Sequence, residues 1–275
     1  MIFPRSAPTL LGIVNITEDS FSDGGRYLAA DKAIEHARRL FAEGADVIDL
    51  GPAPSNPDAK PVGAAEEMRR IGPVIEALHG DGIPVSLDSF ERETQLFALS
   101  RGVTWLNDIW GFPDESLYPA LAGAACKLIV MHSIQGQALA DRRDAPEGDM
   151  VARICRFFEA RLAALEQAGV ARERVILDPG MGFFLGRDPA VSFGVLARTQ
   201  EIRDRFGLPV LISVSRKSFL RAITGRAPAE TGPATLAAEL LAVVHGAELI
   251  RTHEPGQLRD ALAVLAAVKE SAIKI

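Results

Sequence analysis

The 275-residue sequence predicts a (β/α)8 barrel of the α/β class. Three observations carry that expectation. Short runs dense in Val, Ile and Leu recur eight times, segments with helical periodicity separate them, and no linker or shift in composition divides residues 1–275, which are read as one domain. Continuous apolar runs without alternation are the pattern of parallel strands buried on both faces. Strands alternating with helices build βαβ units, and eight such units in about 250 residues match a closed barrel. A doubly wound parallel sheet satisfies the same periodicity and stays open as the alternative.

In chain order the strand candidates are LGIVNI (11–16), DVIDLG (46–51), PVSLDS (84–89), TWLNDIW (104–110), KLIVMH (127–132), RVILDPG (174–180), PVLISVS (209–215) and ELIRTH (248–253). Between the first two, AADKAIEHARRLFAEG sets Ala33, Ala37, Leu40 and Phe41 on one helical face. After the fifth, VARICRFFEARLAALEQAG aligns Ile154, Phe158, Leu162 and Leu165 in the same way. ATLAAELLAVVHG and QLRDALAVLAAVKE flank the eighth strand and read as helices. Gly44, Gly80, Gly169 and Gly246 stand where helix C-caps are expected.

Acidic residues number 36 against 30 basic ones, which argues against a nucleic-acid partner, since such proteins present a basic field. Cys126 and Cys155 lack metal-ligand spacing and read as free thiols of a reducing compartment. Pro4, Arg5 and Pro8 interrupt the N-terminal apolar stretch, so it does not read as a signal peptide. No apolar run approaches the roughly 20 residues of a membrane span. A cytoplasmic protein without a membrane partner is expected.

The strand ends are polar throughout. In order they carry Asn15, Asp49, Asp88, Asn107 with Asp108, His132, Asp178, Ser215-Arg216-Lys217, and Arg251-Thr252-His253. Any one of them reads equally well as a helix cap or turn former, and Asp49, which precedes Gly51, is open to a purely structural reading. All eight together are different. Barrel active sites are built at these ends, and unpartnered buried charge costs several kcal/mol, so convergent polar ends imply a shared ligand. Strands two, three, four and six bring carboxylates, whereas seven and eight bring bases. That division suits a ligand with an N–H-rich heterocycle at one end and phosphate at the other. Strand one adjoins strand eight in a closed barrel, so Asn15 is a candidate ligand for a Mg2+ ion riding on the phosphates. His36, His79 and His245 fall on helical segments and receive no role.

LGIVNITEDSFSDGGRY, DVIDLG, VSLDSF, LNDIWG, VILDPGMGF, SVSRKSF and IRTHEP, in this order, resemble the dihydropteroate synthase family over nearly the whole chain. The resemblance implies a dimeric barrel transferase of folate biosynthesis. It would join 6-hydroxymethyl-7,8-dihydropterin diphosphate to 4-aminobenzoate, giving dihydropteroate and diphosphate. Carried over residue by residue, it implies that Asp88, Asn107, Asp178 and Lys217 bind the pterin, with Asp88, Asp178 and Lys217 catalytic. Arg251, His253 and Asn15 with Mg2+ would hold the diphosphate. Ser215 and Arg216 would face the aminobenzoate. The implied chemistry is dissociative, with diphosphate leaving before the aniline nitrogen attacks. It needs leaving-group stabilisation more than a strong base. EDSFSDGGRY would be a lid over the site.

Two loops depart from the family pattern. Where G-G-E-S-T-R-P-G is usual, the sequence has GPAPSNPDAKPV: Ser55 keeps a hydroxyl, Asn56 removes the positive charge, and Pro52, Pro54 and Pro57 stiffen the loop. After the sixth strand, DPGMGFFLGRDPAVS is longer than usual, with Phe183, Phe184 and Gly186. Both loops border the aminobenzoate site and resemble those of the acquired sulfonamide-insensitive branch. Ser55, Phe183 and Phe184 would join the aminobenzoate site, and Phe183 or Phe184 at the pocket mouth would act as a size filter, passing 4-aminobenzoate and clashing with the tail of a sulfonamide. An ordinary drug-sensitive synthase, with both Phe residues in the core, and a non-catalytic pterin-binding barrel are the alternatives. A methyl-folate barrel fits less well, because it has no use for S-R-K-S followed by R-x-H.

Overall fold

The computed structural model describes residues 7–16, 26–53, 62–137 and 139–273. The strands are β1 Thr9–Asn15, β2 Val47–Gly51, β3 Val85–Asp88, β4 Trp105–Asp108, β5 Lys127–Met131, β6 Val175–Asp178, β7 Leu211–Ile212 and β8 Leu249–Thr252. All lie parallel, in the order β6-β5-β4-β3-β2-β1-β8-β7. A parallel bridge between Leu177 and Val210 joins β6 to β7 and closes the ring. The doubly wound alternative is thereby excluded, because such a sheet keeps two open edges.

The helices are α1 Arg26–Ala42, α2 Ala64–Gly80, α3 Arg92–Ser100, α4 Tyr118–Gly123, α5 Met150–Gln167, α6 Pro189–Ala197, α7 Thr199–Phe206, α8 Ser218–Thr224, α9 Gly232–Val244 and α10 Pro255–Ile273. The α5 face holds as expected, with Ile154, Phe158, Leu162 and Leu165 all buried. Two expectations are corrected. Phe41 is not on the buried face of α1: Ala33, Ala37 and Leu40 are buried, while Phe41, one residue beyond, is 38 % exposed. Gly80 is not a left-handed cap, because α2 runs through it and the positive φ falls on Gly82, at +70°. Cys126 and Cys155 are buried free thiols. Among the described residues no helix is long and apolar enough to cross a membrane.

The core has two compartments. The larger fills the space between strands and helices. The smaller consists of Leu11, Val47, Trp105, Ile129, Ile176, Leu211 and Leu249, which point into the barrel and plug it. Strand side chains repeat with period two. Two residues beyond the plug, the same inward face therefore carries Asp49 on β2, Asn107 on β4, Asp178 on β6 and Arg251 on β8. The apolar plug is the floor of a polar layer.

Candidate active site

Arg251 lies at the centre of that layer. Its Nε donates to Asp49 Oδ2, and its Nη2 donates to Asp88 Oδ2 at 2.6 Å. Asp49 is fully buried, and the Asp88 and Arg251 side chains are each 14 % exposed. Burial opposes the Arg251 charge, but Asp49 and Asp88 overcome it and hold the guanidinium firmly protonated. Burial also raises the Asp88 carboxyl, against Arg251 and Lys217 and with the help of Asp49. Asp178 is pushed up to about 6 by burial, opposed by the Gly180 N–H and by Lys217. Lys217 is brought down to about 8 by burial and Arg251, with Asp178 and Asp88 pulling the other way. The Lys217 ammonium stands 4.9 Å from the Phe184 ring centroid, a cation–π approach. The buried Asn107 Oδ1 and Asp49 Oδ1 have no hydrogen-bond partner among the described residues. Buried acceptors are ordinarily satisfied, so the Asn107 oxygen is an acceptor free to take a ligand N–H.

Local sequence explains the placing of Asp178. Its Oδ1 accepts the Gly180 N–H at 2.8 Å, an Asx-type turn. Gly180 has φ +74°, and a Cβ there would collide with the His132 carbonyl, so only glycine fits. His132 is locked beside it, donating its backbone N–H to the Asp178 carbonyl at 2.8 Å. Burial lowers the His132 imidazole to about 4, so it sits as a neutral structural ring.

At the opposite wall, Ser215 Oγ lies 2.8 Å from His253 Nδ1 and accepts the His253 backbone N–H at 3.3 Å. Burial and the charges of Arg216, Arg251 and Lys217 hold the imidazole down at about 3, so His253 is a neutral N–H donor. Arg216 is exposed, has φ +59°, and pairs with Glu254 at 2.5 Å. Asn15 ends β1 at the exposed rim. A Cβ on Gly51 would sit 3.1 Å from Asn15 Oδ1, so glycine there leaves the amide room. Among the described residues no three His, Cys, Asp or Glu side chains gather as a metal cage.

The two Phe residues face different surroundings. Phe184 is buried and lies under Lys217, packed with Ile109, Met131 and Ala140. Phe183 is only partly buried and has the Arg142 guanidinium 5.8 Å from its ring centroid. The loop that carries them is braced by the segment after β5. Gln135 Nε2 donates to the Phe183 carbonyl at 2.8 Å, and the Ile134 N–H donates to the Phe184 carbonyl at 3.0 Å. Gly186 has φ +119°, and a Cβ there would stand 2.7 Å from the Ala145 backbone nitrogen. Ser55, Asn56 and residues 17–25 of the first loop lie outside the described residues.

The structure thus brings together Asp88 with Arg251, Lys217 with Phe184, and Ser215 with His253. It sets Arg251 against the carboxylates instead of leaving it free toward an anionic tail. Sequence reasoning passed over several supports. Arg70 of α2 donates through Nη1 to the Pro52 carbonyl at 2.8 Å and the Ile16 carbonyl at 3.3 Å, pinning the ends of β2 and β1. Gln95 of α3 bonds the Ser89 carbonyl and Asp108 Oδ2, at 2.7 Å and 3.1 Å. Asp108 therefore faces away from Asn107, and burial raises it to about 6. Buried Arg and Gln on amphipathic helices were the available signal, but periodicity does not say which strand end they reach.

A barrel whose mouth sets buried carboxylates against a lysine, beside a neutral imidazole donor, is an enzyme built to grip an N–H-rich heterocycle. The pterin binding enzyme family model matches residues 11–253. The chain belongs to the dihydropteroate synthase family. It is 66 % identical over 264 residues to dihydropteroate synthase type-2 of Escherichia coli, covering 96 % of this chain and 97 % of that one. The Xanthomonas albilineans dihydropteroate synthase solved with 4-aminobenzoic acid superposes with TM-score 0.87 at 36 % identity, covering 96 % of this chain and 94 % of that one. The Yersinia pestis dihydropteroate synthase solved with a sulfonamide drug complex gives TM-score 0.87 at 30 % identity, covering 96 % and 95 %.

Proposed function

We propose that this chain condenses 6-hydroxymethyl-7,8-dihydropterin diphosphate with 4-aminobenzoate, releasing diphosphate, and that it does so in the presence of sulfonamides. The observation that carries the reading is the pair of buried carboxylates, Asp88 and Asp178, facing Lys217 above the apolar plug. Ionised, the two carboxylates accept heterocycle N–H groups and stabilise positive charge on the ring system. Asn107 Oδ1 adds a third acceptor, and Lys217 donates to a ring acceptor with its ammonium set over the Phe184 ring. As the C–O bond to diphosphate breaks, the leaving group takes the electron pair, and the neutral His253 imidazole and Asn15 are assigned to it, with Arg251 supplying positive charge from its place between Asp49 and Asp88. The 4-aminobenzoate nitrogen then forms the C–N bond and loses its proton to solvent. Ser215 and Arg216 are assigned to the 4-aminobenzoate carboxylate, with Ser55 on the loop outside the described residues.

For Mg2+, Asn15 is a fitting partner. Mg2+ keeps several of its waters and takes few protein ligands beside phosphate oxygens, so an amide oxygen at the rim suits it. When bound, the ion would neutralise charge on the departing diphosphate. Residues 1–275 act as one pterin-binding unit in this reading, in the cytoplasm, where two buried free thiols are stable. Exposed Leu241, Val264 and Val268, at 50 %, 65 % and 48 %, lie on α9 and α10, which pack side by side. An apolar face of that kind supports a homodimer.

Drug discrimination rests on Phe183. Its braced loop and part-buried ring suit a fixed obstacle at the mouth, and each factor of ten in discrimination takes only about 1.4 kcal/mol. The test is complementation of a synthase-deficient bacterium across a sulfonamide gradient, with diphosphate release assayed on the purified enzyme. The wild type should support growth at high drug and release diphosphate only when both substrates are present. Phe183→Ala should keep the activity and lower the tolerated drug concentration at least tenfold. Unchanged tolerance would remove Phe183 from the filter, and failure to release diphosphate would leave a binding barrel.

A further inference from the structure

We propose that Asp49 is a positioning residue: it anchors the Arg251 guanidinium through Nε, so that Arg251 shares Asp88 with the pterin instead of capturing it. This rests on the pterin-binding reading above. Asp49 is fully buried, and a buried carboxylate persists only with a partner. That partner is Nε, the guanidinium nitrogen nearest the stem. Binding there fixes the plane of the group and leaves one Nη2 bond to Asp88, at 2.6 Å.

Strand register shows why an anchor is needed. Leu11 of β1 pairs with both Val47 and Arg251, so Arg251 starts level with the plug, two residues below Asp49. Its long side chain must rise to reach the polar layer, and the β1 residue level with Asp49 is Ile13, which offers it nothing polar. Without Asp49, both edges of the guanidinium would turn to Asp88, the other carboxylate it bonds among the described residues. A two-point Arg–carboxylate pair is the stronger geometry. Asp88 would then be closed as an acceptor for the substrate. Asp49 and Asp88 compete for one cation, and that competition keeps Asp88 available.

The experiment is a double-substitution cycle on the full-length enzyme, read as KM for dihydropterin diphosphate, kcat and the pH profile, with titration of dihydropterin diphosphate alone as a binding measurement. Wild-type turnover is measured first. If the wild type forms no dihydropteroate, the catalytic reading and this inference fall together. With an active wild type, Asp49→Asn should raise KM and the dissociation constant about 10- to 100-fold with a smaller change in kcat, the range typical of lost outer supports. Its acid limb should move to lower pH, because Asp88 then feels the whole Arg251 charge. The charged groups that act on Asp88 are Arg251 on β8, Asp49 on β2, Lys217 after β7 and, from the far side of β4, Asp108. In an Arg251→Ala background, Asp49→Asn should cost nothing further. Independent, multiplying losses with an unmoved acid limb would overturn the inference and make Asp49 a fold staple. If Asp49→Asn does not fold, Asp49→Glu carries the test. It keeps the charge but moves it by one methylene, so the same KM rise is expected, and a wild-type KM would refute positioning.

Discussion

Near neutral pH, Lys217 and Asp178 are both close to changing charge, one at about 8 and the other at about 6. Protonating Asp178 or Asp88, which burial also raises, removes an acceptor, and deprotonating Lys217 removes a donor. The productive state therefore occupies a window between those values. A bell-shaped profile of kcat/KM is expected, with its limbs belonging to the whole cluster of Asp88, Asp178, Lys217 and Arg251. Lys217→Arg should push the alkaline limb beyond pH 10, because a guanidinium does not titrate there. A limb that stayed near 8 would assign it to another group. These residues were legible in the sequence because period two and a polar strand end are local features. The engagement of Asp49 was not. It depends on the stagger between β2 and β8, which no local pattern encodes, and Asp49 looked as much like a turn former as a site residue.

The helices carry what the strands cannot. On α9, Thr235 and Glu239 are four residues apart on one face beneath the ends of β7 and β8. Thr235 Oγ1 accepts the Arg216 N–H at 3.2 Å, and Glu239 bonds Thr252, whose Oγ1 accepts the Glu254 N–H at 3.2 Å. Glu239 is 1 % exposed, its Oε1 has no partner among the described residues, and burial pushes its carboxyl up to about 8, helped by Glu254. A raised acid keeps its proton in the folded state when the unfolded chain has lost it. Its stabilisation is complete below about 4.5 and is lost as pH rises toward 8, at up to about 1.4 kcal/mol per pH unit. Thermal melts of the wild type should therefore fall from pH 5 to 8 more steeply than those of Glu239→Gln, and parallel slopes would contradict a buried neutral acid. The sequence announced α9 as a helix, but a Glu in an Ala-Leu run reads as solvated, and only the position of β8 behind it shows otherwise. The expected cap at Gly80 failed for a related reason, since the turn at Asp81–Gly82 lets α2 run one residue further than the first glycine.

Eight parallel strands alternating with helices were present in the spacing of apolar runs, while their order and common inward face came only with the folded ring. Barrel closure was not present there either, because the final seam is one bridge from Leu177 to Val210, beside a β7 of only two residues. At this scale the exposed Leu241, Val264 and Val268 make the testable surface. Leu241→Asp with Val264→Asp should convert a dimer to monomers in sedimentation velocity while leaving each barrel folded, and an unchanged sedimentation coefficient would put the interface elsewhere. The pairing of Arg251 with Asp49 also bears on how the molecule is made. The two are separated by 202 positions in the chain, which a ribosome covers in about 10 to 40 s. Asp88 precedes Arg251 by 163 positions, so for most of that interval the nascent protein holds two inward carboxylates with their arginine still unsynthesised. An N-terminal half-barrel that collapsed early would have to bury like charges together, so synthesis itself disfavours premature compaction. The guanidinium that pairs both carboxylates in the finished pocket is therefore made after them, on the eighth strand.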